Sequence, residues 1–295
     1  MAHISRSRLV AAVSEAGALG IIGAGLMSAH ELLYEIKQTK RLTSKYFGVN
    51  LVMTDPDTRE KLDIVLREKV RVLTTGAGNA AHIVEKAKDT GTMVIPVVAS
   101  VLLAMRMEKS GAPAIIVEGY ESGGHVGELT TLTITAMATK SISIPVIAAG
   151  GIADGRGMAA ALALGAEGIQ MGTAFCVAKE CEVSKAWKDK VIGAGDRDAV
   201  VTGRSTGHPV RILRNRLSRT LYAMEKNGAS PEVIWRLGEG RLKKAIDGDV
   251  VEGSVMCGQI AGIIDRERTA SEIIESVMKE AEETIKKLNG KLTIH

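Results

Sequence analysis

Seven short apolar runs, each closing in glycine or a polar loop, constrain this fold more than any other feature of the sequence. They are LGIIGAG (19–25), YFGVNLV (46–52), VRVLTTGAG (70–78), MVIPVVAS (93–100), AIIVEG (114–119), IPVIAAGGI (144–152) and EGIQMGTAF (167–175). Each is aliphatic or β-branched at successive positions, the composition of a parallel strand buried on both faces. Their starts fall about 20–31 residues apart, the length of a βα unit. The intervening segments, such as EKLDIVLREK (60–69) and LLAMRMEKSG (102–111), carry helical periodicity, and several close at glycine, a C-cap signal.

Repeated βα units permit a doubly wound sheet or a (β/α)8 barrel. Because nearly every run ends in a polar or glycine-rich loop, functional groups would collect on one rim, the C-terminal face of a barrel. A dinucleotide-binding sheet would concentrate its glycines at the first turn, and GIIGAG has neither the GxGxxG spacing nor the acidic partner. The expected architecture is therefore an α/β TIM barrel. Seven runs are one short of eight, and a helix near Ser5–Ala16 precedes the first. Right-handed βα order places a strand before such a helix, so the expectation is a first strand missing at the N-terminus. Residues 1–176 would form the barrel, completed by 254–290, which include the helical stretch ASEIIESVMKEAEETIKKL. Residues 177–253, charged and irregular, would form a small, mostly helical substrate or cap domain.

A net charge of +4 and an aromatic content of 3% argue against nucleic acid. No apolar run reaches the roughly 18 residues of a membrane span, and the N-terminus lacks a signal-peptide layout. Cys176, Cys181 and Cys257 form no CxxC pair, which suits reduced thiols as small core residues in a cytoplasmic protein. Oligomeric state stays open, a homodimer included.

The segments AAGGIADG (148–155) and QMGT (170–173) end the last two runs. Loops after strands seven and eight of a barrel often bind phosphate. Gly150 and Gly151 would bring bare N–H groups to it, Gly172 and Thr173 would add another N–H and a hydroxyl, and Asp154 would cap the next helix. Asn50, at a strand end, could pair with a heterocycle edge or serve as a turn residue. His125, in ESGGHVGE (121–128), is the catalytic candidate, since it follows a strand end on a glycine-rich frame and titrates near neutrality. His30 and His82 fall in helical stretches, His3 and His295 near the termini, and His208 in the second domain. No spacing suggests a metal site. Arg204, Arg211, Arg214, Arg216 and Arg219 read as a solvated surface or as a docking patch for an acidic partner.

The ordered set GALGIIGAG, FGVNL, TTGAGN, VIPVVAS, VEGYESGGHVGE, IPVIAAGGIADGRG, IQMGTAF and GSVMCGQIAG resembles the FMN-dependent enoyl-acyl-carrier-protein reductases and their relatives, the nitronate monooxygenases. The resemblance implies an FMN-binding barrel. The phosphate would lie on Gly150, Gly151, Gly172 and Thr173, and the ring beside Asn50, Glu118, Gly123, Gly124 and Gln170, with His125 as the active-site histidine. It implies NAD(P)H as electron donor and acyl carrier protein, or a small molecule, as the substrate-bearing partner. GEGRLKKAIDGDVVEGSVMCGQIAGII and GHPVRILRNRLSR favour the reductase, as does Val97 where some monooxygenases carry lysine. Nitroalkane oxidation is the alternative, and a non-catalytic flavin-binding barrel lacking its first strand is another. Met1-Ala2 resembles the end of the family's first, flavin-touching segment.

Overall fold

The structure, a computed structural model, describes residues 1–291; His295 lies outside them. All seven apolar runs are strands: β1 (Gly20–Gly23), β2 (Phe47–Val52), β3 (Val72–Gly76), β4 (Met93–Val98), β5 (Ile115–Glu118), β7 (Val146–Ala149) and β8 (Gly168–Gln170). They form one parallel sheet in the order β1-β2-β3-β4-β5-β7-β8, while β6 (Gly124–His125) leaves it. The crossovers carry α2 (Ala29–Leu42), α3 (Thr58–Arg67), α4 (Ala81–Ala87), α5 (Val101–Lys109), α6 (Thr131–Ser141) and α7 (Gly155–Ala163). The result is a curled, TIM-barrel-like half-barrel in which β1 and β8 are the two ends and do not pair with each other.

Strand register sorts side chains onto two faces. Gly23 pairs with Asn50 and Asn50 with Thr74; on the other half Glu118 pairs with Ala149 and Ala149 with Gln170. These residues point inward. Their neighbours Ile22, Val49, Leu73, Val117 and Ala148 point outward, and the first four pack in one core with Leu32, Ile36, Ile83 and Ile134 of the helices. A strand apolar on its outer face and semi-apolar on its inner one reads as the continuous run seen in the sequence.

A second core joins α1 (Ser7–Glu15) and α13 (Ala270–Lys291) to the segment after β8, around the fully buried Trp187. Cys176, Cys181 and Cys257 are free, buried thiols there. That segment holds α8 (Thr173–Cys176), α9 (Lys185–Ile192), β9 (Ala199–Thr202), a 3-10 turn at Arg204–Thr206, β10 (Val210–Leu213), α10 (Arg216–Lys226), α11 (Pro231–Gly238) and α12 (Arg241–Ile246). Helices dominate it, as expected, but β9 and β10 add a three-stranded antiparallel sheet in the order β6-β10-β9. At four residues each, those strands are too short to set up a readable alternation. Among the described residues no helix is long and apolar enough to cross a membrane.

Helix α13 closes the gap beside β8 by lying against α7. The contact needs glycine at the start of α7: a Cβ on Gly155 would sit 2.3 Å from the Ala281 nitrogen and 2.5 Å from the Val277 oxygen. The Gly155 N–H donates to the Glu280 carboxylate at 2.8 Å across the same interface. Gly155→Ala should therefore force the helices apart and cost about 1–3 kcal/mol, the scale of an overpacked core. Gly238→Ala, where a Cβ meets nothing within 4 Å, should leave stability unchanged or slightly raised. Urea unfolding of both variants checks the contrast.

Candidate functional site

A cavity of about 580 Å³ opens inside the sheet at its C-terminal mouth, within the range of roughly 300–1,000 Å³ typical of small-ligand sites. All ten residues singled out from the sequence border it: Asn50, Glu118, Gly123, Gly124, His125, Gly150, Gly151, Gln170, Gly172 and Thr173. No lysine or arginine side chain is among the residues that line it.

At one end lie the turns after β7 and β8. Gly150 and Gly151 take positive φ angles of 97° and 67°, so the chain reverses sharply and turns its amides outward. The N–H groups of Gly150, Gly151 and Gly172 have no protein acceptor among the described residues. Half-buried amides left open this way are a donor set for an anion. The helix behind them contributes less than its position suggests: Asp154 accepts from the Gly157 N–H at 2.9 Å and Glu280 from Gly155, so both α7 amides are already engaged. Thr173 Oγ1 accepts from the Gly258 N–H at 2.9 Å, leaving its own proton to donate. Met1 lies at this rim, its side chain 3.6 Å from where a Gly172 Cβ would stand.

Further in, Asn50 borders the cavity and donates through Nδ2 to Thr74 Oγ1 at 2.9 Å. Among the described residues the Gln170 amide and the Glu118 carboxyl have no protein hydrogen-bond partner, and both residues border the cavity. Burial raises the Glu118 pKa from 4.5 to about 7, partly offset by the Met1 amino group. These polar ends sit among Ile95, Val97, Ile116 and Ile147. Open N–H groups at one end, and amide and carboxyl groups on an apolar wall at the other, fit the phosphate and heterocycle of the FMN that the sequence resemblance implies. Among the described residues no cluster of His, Cys, Asp or Glu could hold a metal.

His125 stands at the mouth on β6, whose partner is β10: Val210 is in register with His125 and Arg211 with Gly124. Its ring has a large exposed area, but that area opens into the cleft where protein surrounds it. This partial burial, followed by the charge of His208, holds its pKa below the ordinary 6.5. The strand pairing corrects the expectation of a flexible glycine frame. A Cβ on Gly123 would lie 2.5 Å from the Cys257 carbonyl carbon, and one on Gly127 would meet the Ala99 side chain at 2.8 Å. Those glycines admit neighbouring chain. Gly124, at φ +79°, is bare for its backbone conformation.

The arginine run needs a correction. Arg211 is 2% exposed, so it belongs neither to a solvated surface nor to a docking patch. Its guanidinium donates to the carbonyls of Ser122 (3.0 Å), Tyr120 (2.9 Å) and Ala199 (3.3 Å) and lies 4.6 Å from the centre of the Tyr120 ring. It braces the loop that carries His125. Arg216 is paired with Glu252, while Arg204 donates to the Tyr120 hydroxyl at 2.6 Å. His208, placed only in the second domain by its sequence position, comes up beside His125. The GHP turn before a short β-branched run was its one sequence signal.

Known proteins resemble this chain over nearly its whole length. A family model described as nitronate monooxygenase matches residues 1–63 and 58–280. FabK from Thermotoga maritima superposes with a TM-score of 0.96 at 47% sequence identity, covering 99% of this chain and 94% of that one. A nitroalkane oxidase from Streptomyces ansochromogenes gives 0.83 at 28% identity, covering 97% and 94%. The (3aS,4S,5R,7aS)-5-hydroxy-7a-methyl-1-oxo-octahydro-1H-indene-4-carboxyl-CoA dehydrogenase of Mycobacterium tuberculosis is 34% identical over 95% of this chain and 91% of its own length.

Glu118 makes the stability of the fold pH-sensitive. Its folded pKa is raised, so the folded chain holds that proton more tightly than the unfolded chain does. Below about 4.5 both states are protonated and stability is full; it falls as pH climbs from there through about 7. The shift corresponds to a loss on the order of 3 kcal/mol. Glu118→Gln should remove this component, so the flavin-free variant should gain stability over the unsubstituted chain at pH 8 but not at pH 4.5, read from paired urea midpoints.

Proposed function

The chain belongs to the nitronate monooxygenase family, and from that membership we propose that it is an FMN-dependent reductase of 2-enoyl thioesters. In this reading NAD(P)H is the electron donor and acyl carrier protein bears the substrate. One observation carries the flavin reading: the acceptor-free N–H groups of Gly150, Gly151 and Gly172 open into the same cavity as Asn50, Gln170 and His125. Likeness to FabK at 47% identity across nearly the whole chain, second domain included, supports the reductase over nitroalkane oxidation. The Mycobacterium tuberculosis relative, named for a CoA thioester, points to the same substrate class.

FMN, when bound, supplies two-electron hydride chemistry between donor and substrate. The chain's own work is holding, orienting and proton transfer. Three peptide N–H groups and the Thr173 hydroxyl hold a phosphate by dipoles. Asn50 and Gln170 present amide groups to a ring edge, fixing its orientation. Ile95, Val97, Ile116 and Ile147 exclude water from the reacting face. Saturating an enoyl thioester leaves negative charge at the α-carbon, which must take a proton. The imidazole of His125, at the mouth on a braced strand, is the group placed to pass one from solvent.

Nitroalkane oxidation remains a second reading because of one observation. The depressed His125 pKa keeps the imidazole neutral at pH 7, and a neutral imidazole is a base fit to take a proton from a carbon acid. Anaerobic mixing separates the readings. For the reductase, NADH or NADPH bleaches the flavin and an enoyl thioester restores its colour, while nitroethane does nothing. Bleaching by nitroethane and not by the nicotinamide donors would reverse the assignment. Purified protein that is colourless and takes up no FMN would overturn both. His125→Ala should lower turnover by about 10²-fold or more with flavin still bound; undiminished turnover removes the imidazole from the chemistry.

A further inference from the structure

The chain has two tryptophans. Trp187 is fully buried in the second core, whereas Trp235 on α11 is 53% exposed. Trp235 forms one wall of a second cavity, of about 270 Å³, bounded also by Thr206, His208, Pro231 and Glu232. That volume is just under the roughly 300 Å³ at which complete small-ligand pockets begin, so it suits part of a ligand.

The walls specify which part. The His208 ring stands 5.5 Å from the Trp235 ring at an interplanar angle of 64°, making an angled aromatic corner beside a half-exposed indole. Such a face takes a planar base by stacking. Glu232 gives one carboxylate oxygen to Arg236 at 2.6 Å and keeps the other free, an acceptor for an exocyclic amine. Thr206 is already occupied, donating to the Gly203 carbonyl and accepting from the His208 N–H. Arg204, on the 3-10 turn that packs against α11, lies outside the pocket wall with an exposed guanidinium that donates to the Tyr120 hydroxyl at 2.6 Å and keeps further N–H groups for an anion. The pocket adjoins the reaction cavity, because His208 lies two residues from Val210, the register partner of His125.

We infer that this pocket seats the adenosine diphosphate portion of a nucleotide co-substrate, with adenine on Trp235 and its amine toward Glu232, and with phosphate toward Arg204 and His208. That portion is common to NAD(P)H and to coenzyme A thioesters. The inference rests on the oxidoreductase reading above and deepens it by naming how the second substrate is held outside the flavin cavity.

The test begins with ADP titrated calorimetrically into the flavin-loaded protein. Saturable binding that weakens about tenfold or more in Trp235→Ala and less in Trp235→Phe is the expected result, since base stacking contributes about 1–3 kcal/mol. No saturable binding, or equal binding in all three proteins, overturns the inference. Steady-state kinetics identifies the source. A KM that rises at least fivefold for NAD(P)H in Trp235→Ala assigns the site to the donor. A rise for crotonyl-CoA but not for crotonyl-N-acetylcysteamine assigns it to coenzyme A. If neither moves in a chain that reduces enoyl thioesters, the pocket is not a co-substrate site and the inference fails while the activity stands. ADP binding that depends on Trp235 in a protein inert toward enoyl thioesters sinks the proposed activity and leaves the nucleotide site in place.

Discussion

Three segments meet at Gly123 and Gly258, and the geometry of the cleft depends on that meeting. The loop after β5 and the chain around Cys257 and Gly258 meet there backbone to backbone, and the segment after β8 joins them through the Thr173 hydroxyl. A Cβ on Gly258 would lie 2.7 Å from the Glu121 oxygen, and one on Gly123 would strike the Cys257 backbone. The Gln259 N–H donates to the Glu121 carbonyl at 2.9 Å, and the Gly258 N–H to Thr173. Arg211 holds the same loop from the side through the Tyr120 and Ser122 carbonyls, its charge spread over the Tyr120 ring. Burying a guanidinium is unfavourable unless its donors are met, and here three carbonyls meet them. His125 is thereby held by main-chain contacts on either side. Rigidity of this kind lets an imidazole act at a fixed place instead of sampling solvent.

How much of this was legible follows from which signals are local. Each of the seven barrel strands falls inside the apolar run that announces it, because burial on both faces confines polar residues to a few positions such as Asn50, Thr74, Glu118 and Gln170. The phosphate-type turns were readable for a similar reason: Gly150 and Gly151 need φ values that other residues avoid. What stayed hidden depends on contacts between distant residues. Pairing of β6 with β10 joins positions 124–125 to 210–211, and nothing near either segment encodes the partner. The same distance hid the burial of Arg211, since a run of arginines looks solvated until one of them finds three carbonyls. The bareness around His125 was visible but its cause was not. Gly123 and Gly127 make room for protein, and a sequence alone cannot distinguish room for chain from room for ligand.

An open sheet leaves strand edges that proteins normally cover. Here the segment Met1–Ser5 covers part of the β1 edge. The His3 N–H donates to the Gly23 carbonyl at 2.9 Å, the Gly23 N–H donates to the Ser5 carbonyl at 3.0 Å, and the Ser5 hydroxyl donates to the Ile21 carbonyl at 2.6 Å. The close fit uses the lack of side chains on β1, since Cβ atoms on Gly20 and Gly23 would lie 2.2 and 2.3 Å from the Val10 and Met1 oxygens. The same packing sets Met1 and Ala2 in the wall of the cavity beside Gly172. Edge protection and cavity construction are thus one arrangement: the chain that satisfies β1 also shapes the end of the cleft where the Gly172 amide stands open.

The electrostatics of the cavity follow from the absence of lysine and arginine side chains among its lining residues. Desolvation pushes the two titratable side chains in opposite directions, Glu118 up and His125 down, and both shifts favour the uncharged form near neutrality. An anion entering such a place is met by peptide dipoles and not by a lysine or arginine side chain. The anion's own charge then acts on the two groups in one direction, favouring protonation of both. For His125 that opposes desolvation, and for Glu118 it adds to it. The protonation of a cavity with neutral walls and open amides therefore depends on what it binds, so anion binding and proton binding are linked.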